Sequence, residues 1–193
     1  MSSTPFDREK LSELSPEVLA EVAADCLALL EPGRQPLPLF TQFARHVTLS
    51  TFEVTPFRES RTGTEVLLSL RSETDAWWPG QWHLPGSVIL PAKQPGIRRY
   101  EDFADEILGN EFASTVRRIG NVSLFDAQPR TGLRGSEQTV FGWANVDLTH
   151  TDVEPYEGRF FDVDTLLSDP PKGGLVEGHE LTIIKALADR ALN

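Results

Sequence analysis

Residues 81–112 read "QWHLPGSVILPAKQPGIRRYEDFADEILGNEF", and the second half of this stretch decides how the chain folds. Phe103, Ala104, Ile107, Leu108 and Phe112 recur at the spacing of one buried helical face. Glu111 stands four residues after Ile107 on that same face, where an unpartnered carboxylate either destabilises the fold or takes up a proton. It therefore needs a basic side chain, a cluster of backbone amides or a metal ion. A plain ion pair meets that need. A helix that stops at Gly109 and Asn110 removes it, because Glu111 then lies outside the helix.

The rest of the composition limits the ligands available. The chain has 193 residues, enough for one domain of roughly 150 residues with an extension. Its 29 acidic and 18 basic residues give a formal charge of -11, which argues against nucleic-acid and membrane partners. An anionic ligand must be held by a local basic cluster. Cys26 is the single cysteine, so neither an internal disulfide nor a thiolate zinc site can form, and four scattered histidines give no metal pair at helical spacing. The opening "MSSTPFDREKLSELS" has no apolar core behind a basic head, and no apolar run reaches the roughly 20 residues that cross a bilayer. These features predict a soluble, unexported, cytoplasmic protein.

Ser15 and Pro16 start a helix, with Val18, Leu19, Val22, Ala23, Cys26, Leu27 and Leu30 forming one stripe that ends at "EPGRQPLP". The stripe is expected to pack on an apolar surface, with Cys26 as an inert buried thiol. Residues 46–55, "HVTLSTFEVT", read as a strand, followed by the turn "RTGT" and the strand "EVLLSL". Further strand-like runs lie at "RRIGNVSLFD", "QTVFGWANVDL" and "GRFFDVDTLL". A last helix carries Leu181, Ile184, Leu187 and Ala188 on one face. Mixed β and α segments, with several strands adjacent in sequence, predict an α+β domain built on a mixed sheet.

The quoted stretch resembles the signature box of the Nudix hydrolases: Gly, five residues, Glu, seven residues, Arg-Glu, apolar, any, Glu-Glu, any, Gly, apolar. "EVLLSLRSETDAWWPGQWHLPG" looks like the strand, connector and Trp-x-x-Pro-Gly entry of that family, and "GRFFDVDTLL" followed by "GHELTIIKAL" extends the likeness. It covers about residues 46–192. The resemblance implies a Nudix-like α/β/α sandwich at 45–193, preceded by an N-terminal helical extension at 1–44.

The box is eroded. Gly86 stands at its first glycine after Pro85, Ser87 replaces the second, and extra residues separate Gly86 from the helix. One register places Glu106 at the glutamate of Arg-Glu, with Gly109 and Asn110 on the Glu-Glu pair. The other, which keeps the apolar positions in phase, places Glu106 at the arginine, Ile107 at the next glutamate, Asn110 and Glu111 on the pair and Ala113 on the glycine. In that preferred register Glu111 is the surviving metal ligand, directed at Mg²⁺ or Mn²⁺ from a buried face. One carboxylate would hold such an ion weakly, or only together with substrate.

Glu106 and Glu137, the latter in the position of a loop glutamate, complete the catalytic candidates. Arg98, Arg99, Arg130 and Arg134 form the candidate phosphate cluster, and Trp82 is a candidate stacking surface for base or sugar. The resemblance implies a metal-assisted hydrolase of a nucleoside diphosphate linked to another group, such as a nucleotide-sugar. The alternative is a catalytically silent Nudix-like module that binds a nucleotide or a protein partner. A homodimer is compatible with either.

Overall fold

The computed structural model describes residues 8–30, 35–89, 97–132, 135–150 and 154–193. The described residues fall into two compact units. The first holds the helices α1 (Arg8–Ser12) and α2 (Pro16–Ala28). Helix α2 starts as the sequence predicts, with the Ser15 hydroxyl accepting the Val18 amide and Pro16 in the first turn. Its packing differs from expectation: no residue of α2 is buried, and Val18, Leu19, Leu27 and Cys26 are all exposed. Periodicity establishes that the helix is amphipathic; it does not identify the surface that receives the stripe.

The second unit begins with α3 (Leu37–His46), which the sequence reading missed because "EPGRQPLP" looks like a break. Pro38 instead sits in the first turn of α3, where the absence of an amide proton costs nothing. The strands are β1 (Leu49–Glu59), β2 (Thr64–Leu70), β3 (Trp82–His83), β4 (Gly86–Val88), β5 (Val116–Gly132), β6 (Gly135–Leu148) and β7 (Gly158–Asp162). They form one sheet in the order β3-β2-β1-β6-β5, with β4 also pairing with β1 and β7 with β2. The β1–β6 pair is parallel from Leu49↔Glu137 to Phe57↔Asn145, while β1–β2 and β5–β6 are antiparallel. The mixed sheet follows from this. Helix α3 packs on β6 with Ala44 buried.

Alternation along the strands divides the core between the two faces of the sheet. On one face Phe52, Val54, Leu67, Ala144 and Val146 pack against Ala104, Ile107, Leu108 and Phe112 of α4 (Tyr100–Glu111). On the other Phe57, Val66, Leu68 and Trp143 pack against α5 (Val163–Ser168) and α6 (His179–Arg190). This is the expected α/β/α sandwich. "GRFFDVDTLL" divides at Asp162, whose carboxylate accepts the Thr165 amide and starts α5.

The last helix turns a different face inward from the one its apolar residues suggested. Leu181, Ile184 and Ala188 are exposed, and His179, Thr182, Ile183 and Ala186 are buried. Two of the four buried residues are polar, and both are satisfied. The Thr182 hydroxyl donates to the Gly178 carbonyl and the His179 ring accepts the Leu84 amide. A stripe drawn through apolar residues alone therefore misses the phase. Among the described residues no helix is long and apolar enough to cross a membrane.

Candidate functional site

Strand β1 pairs with β2 at Phe57–Glu59 but with β4 at Thr51–Glu53, so its neighbour on that side changes along its length. A cleft of about 390 Å³ opens beside this change of partner. Thr51 and Glu53 of β1, His83 and Gly86 of β3 and β4, Arg130 of β5, Glu137 of β6 and Gly178 and His179 of α6 line it, with Arg71 and Trp78 from the connector after β2. Two glycines make room for charged groups. A Cβ on Gly86 would meet Glu53 Cγ, and a Cβ on Gly178, whose φ is +85°, would meet Arg130 Nη2 at 2.7 Å.

The charges in the cleft are arranged in pairs. Arg130 Nη1 donates to Glu53 Oε1 at 3.0 Å, with the guanidinium over the Phe141 ring. Arg71 Nη1 donates to Asp75 at 3.0 Å and lies over Trp78. Burial acts to raise the pKa of Asp75. The Trp78 and Trp77 amides and Arg71 outweigh it and hold the group below the usual carboxylate range.

Glu111 is the last residue of α4, so the helix does not stop at Gly109. Its side chain is 27% exposed, and Oε1 lies 2.9 Å from Nε2 of His83. Burial pushes its pKa up. The hydrogen bond and charge of His83, with smaller help from Ser69 and Arg71, more than reverse this and hold Glu111 below the usual range. His83 is only 5% exposed, and its Nδ1 lies 2.7 Å from the Leu84 carbonyl oxygen. His179, 4% exposed, accepts the Leu84 amide on Nδ1 at 2.9 Å and turns Nε2 toward Glu53 Oε2 at 3.7 Å.

The other sequence candidates are dispersed. Glu106 is 51% exposed and paired with Arg98, whose guanidinium lies over Phe103. Arg99 starts α4, its amide held by Asp102. Neither arginine is among the cleft residues, whereas Arg130 is, and Arg134 lies outside the described residues. Glu137 sits in β6 rather than in a loop, opposite Arg130, and faces the cleft. Trp82 packs edge-on against Phe161 in the core, and Trp78 is the indole at the cleft. Pro85 accepts the Val54 amide and so fixes β4 against β1.

Sequence reasoning missed the importance of His179, Glu53 and Arg71. Glu53 alternates with core residues on the central strand, which was a usable signal. Nothing local in the sequence links His179 to Leu84, 95 residues away.

No family model and no curated protein matches the sequence. Solved structures do. NrtR of Shewanella oneidensis superposes with a TM-score of 0.54 at 18% identity, over 75% of this chain and 64% of that one. A possible asymmetric diadenosine tetraphosphate hydrolase from Jonesia denitrificans gives 0.54 at 14% identity, over 76% and 96%. A mutT/nudix family protein from Listeria innocua gives 0.50 at 19%, over 77% and 97%. The chain has the Nudix fold. A second NrtR structure, complexed with a 27mer DNA, matches with a TM-score of 0.53 at 16% identity. This Nudix-fold chain spans just under two thirds of the length of NrtR.

The Nudix resemblance implies Mg²⁺, and the donor set here does not fit it. Among the described residues no three acidic, histidine or cysteine side chains are grouped to hold an ion. Ile107, at a box glutamate in the preferred register, is a core residue, Asn110 is exposed, and Glu111 already engages His83. Mg²⁺ requires several oxygen ligands in near-octahedral array, and of the carboxylates here Glu111 is committed to His83 and Glu53 to Arg130.

Proposed function

We propose that this Nudix-fold domain binds an anionic nucleotide-type ligand, a nucleoside polyphosphate or nucleotide-sugar, and does not hydrolyse it by the metal-assisted route. The observation that carries this reading is the engagement of Glu111 by His83, with the remaining helix acids turned to solvent or paired outside the cleft. Arg130 and Arg71 each keep guanidinium donors beyond those used by their carboxylates, and such donors suit phosphate oxygens. Trp78 offers a ring beside them for a base or sugar. The Jonesia neighbour is described as a possible diadenosine tetraphosphate hydrolase, and that compound is a nucleoside polyphosphate, which supports the ligand class.

The divergent-hydrolase reading needs Glu111 released from His83. Calorimetric titration with diadenosine tetraphosphate and GDP-mannose, paired with ³¹P NMR of the same mixtures in Mg²⁺ and in Mn²⁺, tests the two. Binding with no new phosphorus resonances is expected. Metal-dependent turnover that disappears in Glu111→Gln would restore the hydrolase.

A further inference from the structure

A second cavity, of about 170 Å³, lies between β5, β6 and α6 and shares Arg130 and Gly178 with the cleft. A local irregularity builds its strand wall. Asp126, Gln128 and Arg130 alternate along β5 and so lie on one face. Phe125 belongs by alternation to the opposite face, but the register of β5 on β6 runs from Leu124↔Gly142 directly to Asp126↔Phe141, which makes Phe125 the extra residue of a bulge. A bulge re-aims a side chain, and Phe125 lines the cavity beside Asp126, its ring 6.1 Å from that of Phe141. The helix wall follows from spacing: Leu181, Thr182 and Lys185 fall on one face of α6, after Gly178 at its cap. Leu181, 56% exposed, thus offers uncovered apolar surface in the same cavity as the two rings. At the polar side Asp126 accepts from Lys185 Nζ at 2.7 Å and from the Gln128 side-chain amide. The ammonium has donors beyond this one, and Gln128 has a carbonyl oxygen that accepts.

We infer that this cavity is a subsite for a nucleobase, and that the shared Arg130 holds the phosphates between the base and the main cleft. The cavity is well below the roughly 300 Å³ at which a pocket takes a whole small-molecule ligand, so it takes one ring of a larger one. Phe125, Phe141 and Leu181 suit the faces of an aromatic heterocycle, while Lys185 and Gln128 suit the acceptors and donors on its edge. A hydrocarbon ring would cover those polar groups without pairing them, and a phosphate would meet the Asp126 carboxylate. The main cleft and Trp78 are left for the phosphates and the group at their other end. The inference rests on the proposed function, in which Arg130 is a phosphate contact, and adds the place of the base.

Intermolecular NOE spectra of the methyl-labelled protein with ADP, GDP, CDP and UDP, with and without Mg²⁺, test the placement. NOEs from base protons to the Leu181 methyls are expected. Base NOEs confined to residues of the main cleft, the Trp78 ring among them, overturn the inference. Calorimetry with the same four nucleotides and with inorganic pyrophosphate gives the energetic reading. At least one nucleotide is expected to bind tenfold or more tightly than pyrophosphate. Leu181→Ala should weaken that nucleotide about fivefold, through lost apolar cover, and leave pyrophosphate unchanged. A loss for the nucleotide no greater than that for pyrophosphate overturns the subsite. Pyrophosphate binding as tightly as all four nucleotides also overturns it and leaves the anion-binding reading standing. Binding of neither class overturns both. The NOE spectra and the wild-type affinities need no variant, so the inference stays exposed to refutation even if Leu181→Ala fails to fold.

Discussion

Gly86 of β4 faces Glu53 of β1 so closely that a Cβ on the glycine would stand 2.8 Å from Glu53 Cγ and 3.3 Å from the Phe52 carbonyl oxygen. Glu53 in turn accepts from Arg130. The glycine that the sequence reading placed at the start of the box thus sets the position of an ion pair. Gly86→Ala is expected to cost about 1–3 kcal/mol through overpacking against Glu53 Cγ, whose carboxylate Arg130 holds, and against the Phe52 carbonyl. It should also weaken ligand binding by displacing Arg130. Urea denaturation alongside calorimetry checks both, and a variant with unchanged stability would show that β1 and β4 are free to separate.

Glu111 gives the stability of the domain a pH dependence with a defined sign. Its pKa is lower folded than unfolded, so the unfolded chain binds the extra proton first and stability falls on acidification. The contribution is complete above the ordinary glutamate value of about 4.3 and is lost as pH falls through the lower folded value. Glu111→Gln should remove that part of the acid limb. At neutral pH it should cost roughly 1.5–3 kcal/mol, since His83 loses a charged hydrogen-bond partner. Melting temperatures of both forms across the acid range check this, and parallel curves would contradict it.

Helix α6 separates the buried face from the apolar face. Ile183 is fully buried, and Ile183→Ala is expected to cost about 2–5 kcal/mol. Leu181 is exposed, and Leu181→Ala should change stability by no more than about 0.5 kcal/mol. Chemical denaturation of the two variants ranks them directly. The reverse order would place the helix in the phase that its leucines suggest.

The α6 case shows what was legible in the sequence and what was not. Phe103, Ile107 and Leu108 mark the buried face of α4 because that face is apolar except at Glu111, and the alternation of Phe52 and Val54 marks β1 equally well. Such patterns give an α+β domain with a mixed sheet, and the sandwich is what the Nudix resemblance implies. Half the buried face of α6 is polar, and its satisfaction depends on Leu84 and the Gly178 carbonyl, so periodicity could not find it. Gly86, Arg130 and Glu137, singled out in the sequence, line the cleft, and Glu111 meets His83 beside it. The site was obscure at His83, whose role depends on a carboxylate 28 residues further along and on which backbone group its ring meets. The arginines divided for a similar reason: all are basic in sequence, and only the strand register carries Arg130 into the cleft.

That division is open to test. Arg130 lines the cleft with Gly178 leaving space for its guanidinium, while Arg98 is engaged with Glu106 and Phe103 and Arg99 is largely exposed at the start of α4. Arg98→Ala and Arg99→Ala should therefore leave nucleotide affinity unchanged. Arg130→Ala should weaken it by about 1.5–3 kcal/mol, roughly tenfold to a hundredfold, through loss of charge-assisted hydrogen bonds. Because the same change removes one of the partners of Glu53, part of the effect comes from a disturbed cleft. Arg130→Lys separates the two: it keeps the charge beside Glu53 but loses the planar fork that matches phosphate. Stability near wild type with reduced affinity is expected for the lysine form. Full affinity in Arg130→Lys, or an equal loss in Arg98→Ala, would move the anion site away from the β5 side of the cleft.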